Sequence, residues 1–177
     1  MHKDVKKILI SAEEIDARAS ELAKQISDYY RERGTTPLAV GLLKGSVPFM
    51  ATLIMKMDVE LEMDFMDVSS YAGTKSTELR INKDVETQVD GRDVLIIEDV
   101  IDTGKTLHRV VELFENKGAA DVKIATLLDK PERRECEVKV DYVGFTIPDE
   151  FVIGYGLDYN QKYRNLPYVG VIKEEAI

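Results

Sequence analysis

The residues best suited to chemistry form a cluster of acids and small polar side chains near the middle of the chain. Glu98 and Asp99 directly follow the apolar run 94–97, and the turn 102–106, which reads DTGKT, comes next. Carboxylates can accept hydrogen bonds from sugar hydroxyls or serve as a base. The turn can hold a phosphate, because a helix that begins there directs N–H groups and its dipole toward an anion. The spacing therefore predicts a site for phosphate and sugar hydroxyls.

Two other interpretations fit parts of this cluster. The segment 104–106 (GKT) also occurs in the P-loop of nucleoside triphosphate-binding proteins, but that motif needs a glycine five residues before Gly104. This sequence has Asp99 there, which excludes the P-loop. Alternatively, Glu98, Asp99 and Asp102 are solvated residues of an ordinary strand-to-helix turn. Three acids so close together after a buried strand weigh against that reading.

The elements that must position these residues alternate between strands and helices. Ser11 and Glu14 form a capping box, and apolar residues at helical spacing predict a helix that ends at Gly34. Strands are predicted at 38–43, 59–65, 81–89, 94–97, 122–128, 140–145 and 151–155, helices at 47–57 and 106–118, and a mobile loop at 69–77. This order predicts one α/β domain with a mainly parallel sheet, in which ligands bind beyond the carboxyl ends of the strands.

Composition limits the class of protein. The chain has 177 residues, of which 44% are apolar and 32% charged, as expected for one domain with a core. No run approaches the ~18 apolar residues of a transmembrane helix, so we expect no membrane partner. The single cysteine, Cys136, suits a reducing compartment and predicts a cytoplasmic location. A net charge of −9, with short basic runs at 6–7 and 133–134, argues against nucleic-acid binding.

The segment 94–107, VLIIEDVIDTGKTL, resembles the phosphoribosyl-pyrophosphate signature of type I phosphoribosyltransferases. Four further segments match the hypoxanthine-guanine branch of that family in order, namely 42–46 (LLKGS), 66–71 (MDVSSY), 127–131 (LLDKP) and 152–159 (VIGYGLDY). The resemblance extends from Leu38 to Ile172. It implies the type I phosphoribosyltransferase fold over residues 1–177, with a mobile lid at about 69–80. It also implies a small hood from the N-terminal segment and about 145–177.

The resemblance also implies a reaction in purine salvage. A Mg²⁺-dependent enzyme of this kind transfers the 5-phosphoribosyl group of 5-phosphoribosyl 1-pyrophosphate (PRPP) to N9 of hypoxanthine or guanine. The products are IMP or GMP and pyrophosphate. The same resemblance implies a homodimer or a homotetramer.

The resemblance assigns the phosphoribosyl group to the central cluster. It implies that Glu98 and Asp99 hold the ribose hydroxyls, directly or through Mg²⁺. The 5′-phosphate is assigned to the turn formed by Asp102, Thr103, Gly104, Lys105 and Thr106. Asp102 is also implied to face N7 of the purine, as general base or hydrogen-bond partner. A carboxylate suits that role, because the attacking purine must lose a proton.

The resemblance assigns pyrophosphate to Lys44, Gly45 and Arg164, with an unusual peptide geometry expected between the first two. Asp158 is implied to bind a Mg²⁺ ion shared with pyrophosphate, since Mg²⁺ is commonly held by carboxylates and substrate phosphates.

The purine is assigned to three residues near the ends of later strands. Lys130 is implied to donate to the 6-oxo group, Phe151 to stack on the base and Val152 to meet its edge through the backbone. Ser70 and Tyr71 are implied to belong to the lid, which excludes water from a reactive ribosyl cation.

Three rival functions remain to be separated from this one. A transferase for adenine, orotate or uracil is disfavoured by the segments 127–131 and 151–152. An RNA-binding regulator built on this fold needs a basic face, which a net charge of −9 opposes. A nucleotide sensor without catalysis is disfavoured because every implied catalytic position is filled.

Overall fold

The computed structural model describes residues 1–70 and 79–177. In chain order the elements are β1 (Val5–Ile10), α1 (Ala12–Arg33), β2 (Leu38–Leu42), α2 (Val47–Ile54), β3 (Glu62–Ser70), β4 (Leu79–Lys83), β5 (Asp93–Ile101), α3 (Lys105–Asn116), β6 (Asp121–Asp129), β7 (Tyr142–Thr146), β8 (Val152–Ile153) and β9 (Val169–Ile172). Short 3₁₀ turns lie at Pro131–Arg133 and Glu174–Ala176. Among the helices of these two ranges, none combines the length and apolarity that crossing a membrane requires.

The central sheet has six strands in the order β4-β3-β2-β5-β6-β7. All its neighbouring strands are parallel except β3 and β4, which are antiparallel. Helices α1 and α2 cover one face, and α3 covers the other. Strands in such a sheet are buried on both sides, which explains the uninterrupted apolar runs. The predicted α/β fold with a mainly parallel sheet is confirmed.

Alternate residues of β5 face the two different cores. Leu95 and Ile97 pack in the cluster beneath α1 and α2, whereas Val94 and Ile96 pack beneath α3. Side chains alternate between the faces of a strand, and the two acids that continue β5 also lie on different sides. Glu98 lines a cavity together with Thr106 and Leu107 of α3, whereas the Asp99 carboxylate lies against Gly45, just before α2.

The terminal segments form a second, three-stranded antiparallel sheet in the order β1-β9-β8, which we call the hood. Val5 pairs with Ile172, and Val152 pairs with Val171. Neither β1 nor β9 is among the predicted strands. β1 carries three consecutive exposed residues, and β9 has only four residues, so neither produces a recognisable periodicity.

Helix boundaries agree closely with the sequence predictions. Both hydrogen bonds of the capping box are present, with the Glu14 N–H donating to Ser11 Oγ at 3.1 Å and the Ser11 N–H to Glu14 Oε2 at 2.7 Å. α1 is followed by Gly34 in a left-handed conformation, with φ of 66°. Helix α2 ends at Ile54, three residues earlier than predicted.

Several strand predictions were wrong in extent. β3 is shifted toward the carboxyl end relative to 59–65 and includes Ser69 and Ser70, which pair with β4 rather than open a loop. β5 continues to Ile101, so Glu98 and Asp99 belong to the strand. β8 has two residues instead of five. Backbone hydrogen bonds between neighbouring strands set these limits. The pattern of polar and apolar side chains does not show where that hydrogen bonding ends.

The predicted strand 81–89 is also wrong in extent, because β4 ends at Lys83. Beyond that point the Asp64 carboxylate accepts the N–H groups of Glu86 and Thr87, at 2.8 and 2.9 Å. Because these N–H groups bind a side chain, they do not pair with the backbone of β3.

Candidate active site

The loops after β2, β5 and β6 meet at one edge of the central sheet, because these strands are parallel neighbours. Lys44 and Gly45 follow β2, the turn 102–104 follows β5, and Lys130 follows β6. Gly45 lies so close to the Asp99 carboxylate that a Cβ at position 45 would overlap it. The structure therefore brings the first two motifs into direct contact.

A cavity of about 170 Å³ lies between the end of β5 and the start of α3. It is lined by Glu98, Val100, Ile101, Asp102, Thr103, Gly104, Thr106 and Leu107. Gly104 precedes α3 with φ of 82°, a conformation that favours glycine. Gly104 has no side chain to cap this helix, and Thr103 Oγ1 accepts only the first N–H, that of Lys105, at 3.4 Å. Among the described residues, the N–H groups of Thr106 and Leu107 have no partner, so they are available to an anion in the cavity.

The segment after β6 supports the turn from behind. The Thr103 carbonyl accepts N–H groups from Glu135 at 3.0 Å and Cys136 at 3.4 Å. The Lys105 ammonium forms an ion pair with the Glu135 carboxylate. A Cβ at Gly104 would lie 3.1 Å from Cδ of Arg134. This support was not predicted, because nothing in the spacing connects residues 134–136 to the turn.

Glu98 and Asp99 place two acidic groups beside the cavity and the Gly45 loop. The Asp99 N–H donates to Glu98 Oε1 at 2.9 Å. Burial raises the pKa of Glu98 well above its usual value, and the neighbouring Asp99 carboxylate raises it further. A cation near these two acids would favour their ionised forms, and carboxylate oxygens are the ligands that Mg²⁺ takes. The donor set therefore fits Mg²⁺.

The three residues predicted to bind metal do not form one cluster. Within residues 1–70 and 79–177, no three His, Cys, Asp or Glu side chains converge as a metal site. Asp158 instead forms an ion pair with Arg164, whose Nη2 lies 2.8 Å from Asp158 Oδ1. Mg²⁺ commonly binds one or two carboxylates together with substrate phosphates, so two separate carboxylate positions remain compatible with it.

Arg164 and the Gly45 loop meet at Gly156. The Arg164 Nη1 donates to the Gly156 carbonyl at 2.7 Å, and a Cβ at Gly156 would overlap the Gly45 carbonyl. Lys44 is exposed in the same loop. The three residues assigned to pyrophosphate are therefore connected through one glycine.

The peptide geometry of this loop differs from the prediction by one residue. The cis peptide bond joins Leu43 to Lys44, whereas the unusual geometry was expected between Lys44 and Gly45. The assignment to the bond after Lys44 was wrong.

Lys130, Phe151 and Val152 lie along the wall between the sheet edge and the hood. Lys130 is only 9% exposed, and its Nζ donates to the Glu150 carbonyl at 2.7 Å. Phe151 is 50% exposed, with its ring nearly perpendicular to that of Tyr159 at a centroid distance of 5.7 Å. Val152 is buried in β8. An exposed aromatic ring near a buried cation gives this wall the groups that bind a flat, polar base.

Asp102 contacts an arginine to which the sequence patterns gave no role. The Arg133 Nε lies 2.5 Å from Asp102 Oδ1, and its Nη1 lies 3.4 Å from Asp149 Oδ2. Sequence reasoning considered Arg133 only as part of a short basic run. The signal that could have identified Arg133 was its place in the sequence. It lies three residues after Lys130, in the turn that begins at Pro131.

The structure describes one of the two residues assigned to the lid. Ser70 ends β3, where its backbone pairs with Leu79 of β4. Tyr71 lies outside the described residues.

Comparison with known proteins agrees with this geometry. The family model of the phosphoribosyl transferase domain matches residues 11–160. The chain therefore belongs to the phosphoribosyltransferase family. It is similar to the hypoxanthine-guanine phosphoribosyltransferase of Bacillus subtilis, with 55% identity over 175 residues that cover 98% of this chain and 96% of that protein.

Solved structures give the same result. A hypoxanthine phosphoribosyltransferase from Staphylococcus aureus superposes with a TM-score of 0.94 at 47% identity, covering 99% of this chain and 96% of that one. The Trypanosoma cruzi hypoxanthine phosphoribosyltransferase, in complex with the product IMP, superposes with a TM-score of 0.95 at 38% identity, covering 100% and 99%. The predicted family and fold are confirmed.

Proposed function

We propose that this chain catalyses the Mg²⁺-dependent transfer of the 5-phosphoribosyl group from PRPP to N9 of hypoxanthine or guanine. The reaction forms IMP or GMP and pyrophosphate, as in purine salvage. The observation that carries the proposal is that the cavity at the start of α3 shares a sheet edge with Lys130 and the Gly45 loop. The names of the similar proteins support the same reaction.

The phosphoribosyl group occupies the cavity between β5 and α3 in this proposal. The turn formed by residues 102–106 binds the 5′-phosphate through the N–H groups that begin α3, which favour a negative charge. Glu98 and Asp99 hold the ribose hydroxyls. Their opposite directions from β5 allow one acid to border the cavity and the other to border the Gly45 loop.

Asp102 receives the proton that the purine loses. As N9 forms its bond to ribose C1′, the bond from C1′ to the pyrophosphate oxygen breaks, and the proton on N7 moves to the Asp102 carboxylate. Asp102 borders the cavity, so its carboxylate lies close to where the sugar and the base join. General-base catalysis of this kind contributes about 10²–10⁴-fold.

Lys130 selects a 6-oxopurine. An ammonium group has three N–H bonds, one of which is used on the Glu150 carbonyl. The ammonium also lies 3.8 Å from Asp149 Oδ1, and it keeps an N–H for the 6-oxo group of hypoxanthine or guanine. Adenine has a 6-amino group that offers no acceptor, and an unmatched buried donor discriminates strongly. Phe151 stacks on the base, and Val152 meets its edge through the backbone.

Pyrophosphate leaves along the surface formed by Lys44, Gly45 and Arg164. Glu98 and Asp99 would hold Mg²⁺ at one carboxylate position and Asp158 at a second, and the metal would supply positive charge to offset that of the pyrophosphate. Lys44 is exposed, so its ammonium can reach a phosphate bound at this surface. Ser70 and Tyr71 act in the lid, which excludes water from the ribosyl cation.

The remaining proposals concern the state of the protein in the cell. We propose a homodimer or homotetramer located in the cytoplasm, which binds neither nucleic acid nor membranes. Sedimentation equilibrium tests the assembly, and a gel-shift titration with RNA tests the rival regulatory function. Tight, salt-sensitive RNA binding would favour that rival.

The reaction itself is tested by mass spectrometric detection of IMP after incubation with hypoxanthine, PRPP and Mg²⁺. IMP formation that requires all three components is the expected result, and no IMP at any protein concentration would contradict the proposal.

Replacement of the base tests the chemical step. Asp102→Asn keeps the shape of the side chain but cannot accept the proton, so we expect the turnover number to fall about 10²–10⁴-fold. An unchanged turnover number with hypoxanthine would exclude Asp102 as the base.

A further inference from the structure

Arg133 connects the Asp102 carboxylate to the wall that carries the base-binding residues. It ends the 3₁₀ turn Pro131–Arg133, which directly follows Lys130, and its N–H donates to the Lys130 carbonyl at 3.1 Å. Its side chain then spans two acids, with Nε 2.5 Å from Asp102 Oδ1 and Nη1 3.4 Å from Asp149 Oδ2. The backbone of the turn thus holds Arg133 at the junction of the sugar and base regions.

The two oxygens of Asp102 have different surroundings. Oδ1 is shielded from solvent and is in ion-pair contact with Arg133, although the N–H is not aligned for a hydrogen bond. The side chain as a whole is 44% exposed and borders the cavity, so its exposed part includes Oδ2. A carboxylate held at one oxygen keeps the lone pairs of the other for a ligand.

The ion pair between Arg133 and Asp102 should add little to the stability of the fold. Its position beside the cavity is therefore the feature that suggests a role. The side chain of Arg133 is 45% exposed, and exposed ion pairs generally add little to stability. Its contact with Asp102 is shorter than its contact with Asp149. Among the described residues, no other cation forms an ion pair with Asp102.

We propose that Arg133 is a positioning residue, which holds Oδ1 of Asp102 so that Oδ2 faces N7 of the bound purine. The inference rests on the proposed function of Asp102 as the base. A guanidinium group is planar and permanently charged, and its charge attracts the carboxylate whether or not an N–H is aligned with the oxygen. A fixed carboxylate spends more time within hydrogen-bond reach of the proton that it accepts.

Steady-state kinetics with hypoxanthine, PRPP and Mg²⁺ test this role in the full chain. Arg133→Gln removes the charge, so we expect kcat to fall about 10- to 100-fold. The KM for PRPP should stay within about twofold, because Glu135 and Cys136 support the phosphate turn independently of the Arg133 side chain. Arg133→Lys keeps a cation and should recover part of the loss, and it carries the same test if the glutamine variant does not fold.

Glu132→Gln is the matched control, because it changes a charge in the same turn. Glu132 is exposed and forms no ion pair within the described part of the chain, so this variant should keep the wild-type kcat. A general disturbance of the turn would instead raise the KM for PRPP in Arg133→Gln as much as it lowers kcat, and that result would overturn the proposal.

A double-mutant cycle separates action through Asp102 from independent action. In an Asp102→Asn background, Arg133→Gln should lower kcat by less than about threefold further, because the partner through which it acts is already lost. The same loss in both backgrounds, or a wild-type kcat for Arg133→Gln alone, would overturn the positioning role. The proposed function is tested separately, with the unmodified chain. If that chain forms no IMP, the proposed function fails, whatever the variants show.

Discussion

The phosphate end and the base end of the proposed site are built in different ways. The phosphate end lies in one continuous segment, in which β5, a glycine turn and α3 follow one another. The base end combines Lys130 after β6 with Phe151 and Val152 at the hood. The first uses mainly backbone N–H groups, and the second uses side chains from separated segments. We therefore expect substitutions at the two ends to affect different kinetic constants.

A methyl group at position 45 should give the largest loss and should act through the phosphate end. A Cβ there would overlap the Asp99 carboxylate, so one of the two groups must shift. Misplacement by about 1 Å can lower the rate of an enzyme about 10²-fold. We expect Gly45→Ala to lower kcat/KM for PRPP about 100-fold, measured by pyrophosphate release.

Gly91→Ala provides a control for the Gly45 variant. Gly91 has φ of 73°, but an added Cβ would meet no heavy atom within 4 Å. This variant should lose about 1–2 kcal/mol of unfolding free energy through backbone strain and keep the wild-type kcat/KM. Gly45→Ala with wild-type activity would contradict the close packing of the two loops.

Replacing the cation at the base end should change the constants for the purine and leave those for PRPP intact. Lys130→Gln retains a donor but removes the charge, and hydrogen bonds to charged groups contribute about 1.5–3 kcal/mol. We expect kcat/KM for hypoxanthine to fall about 30-fold, with the KM for PRPP unchanged. An equal change in both substrates' constants would show that the two ends are not separable.

Loss of the exposed ring should have a smaller effect at the same end. Stacking of a base on an aromatic side chain contributes about 1–3 kcal/mol, and Phe151 is half exposed beside the base wall. Phe151→Leu should raise the KM for hypoxanthine about tenfold. An unchanged KM, measured at saturating PRPP, would exclude stacking on this ring.

A carboxylate outside both ends should affect stability alone. Burial by itself would raise the pKa of Asp64, but the N–H groups of Thr87, Phe65 and Glu86 outweigh it and lower the pKa to about 2. Because the folded-state pKa lies below the unfolded value, the stabilisation is present above about pH 4 and is lost as the pH falls toward 2.

Asp64→Asn should therefore lower the unfolding free energy by about 2 kcal/mol at pH 7, with kcat unchanged. Urea denaturation measures the difference from wild type, which should shrink as the pH falls from about 4 toward 2. A difference that is equal at pH 7 and pH 3 would contradict this account of Asp64.

The sequence predicted the phosphate end better than the base end, for physical reasons. The pattern of residues 94–106 predicted a strand, a turn and a helix that follow one another directly, and the structure contains all three. The carboxyl ends of parallel strands must share an edge, so the position of Lys44 and Gly45 on the same edge as Asp99 also followed from the fold class. The structure adds that Gly45 lies directly against the Asp99 carboxylate.

The parts that the sequence did not predict depend on tertiary contacts. The contact of Arg133 with Asp102 and the support of Thr103 by Glu135 join residues about thirty positions apart. The hood strand β1 pairs with β9, at the opposite end of the chain. The periodicity of apolar residues indicates only which face of a local element is buried. It therefore could not predict these contacts between distant parts of the chain.

The central claim is that one sheet edge joins a phosphoribosyl site to a 6-oxopurine site. The most direct test offers hypoxanthine, guanine and adenine separately with PRPP and Mg²⁺ and measures pyrophosphate release. We predict release with hypoxanthine or guanine, at a kcat/KM at least about 10³-fold above that for adenine. Release with adenine at an equal or higher kcat/KM, or no release with either 6-oxopurine, would contradict the claim.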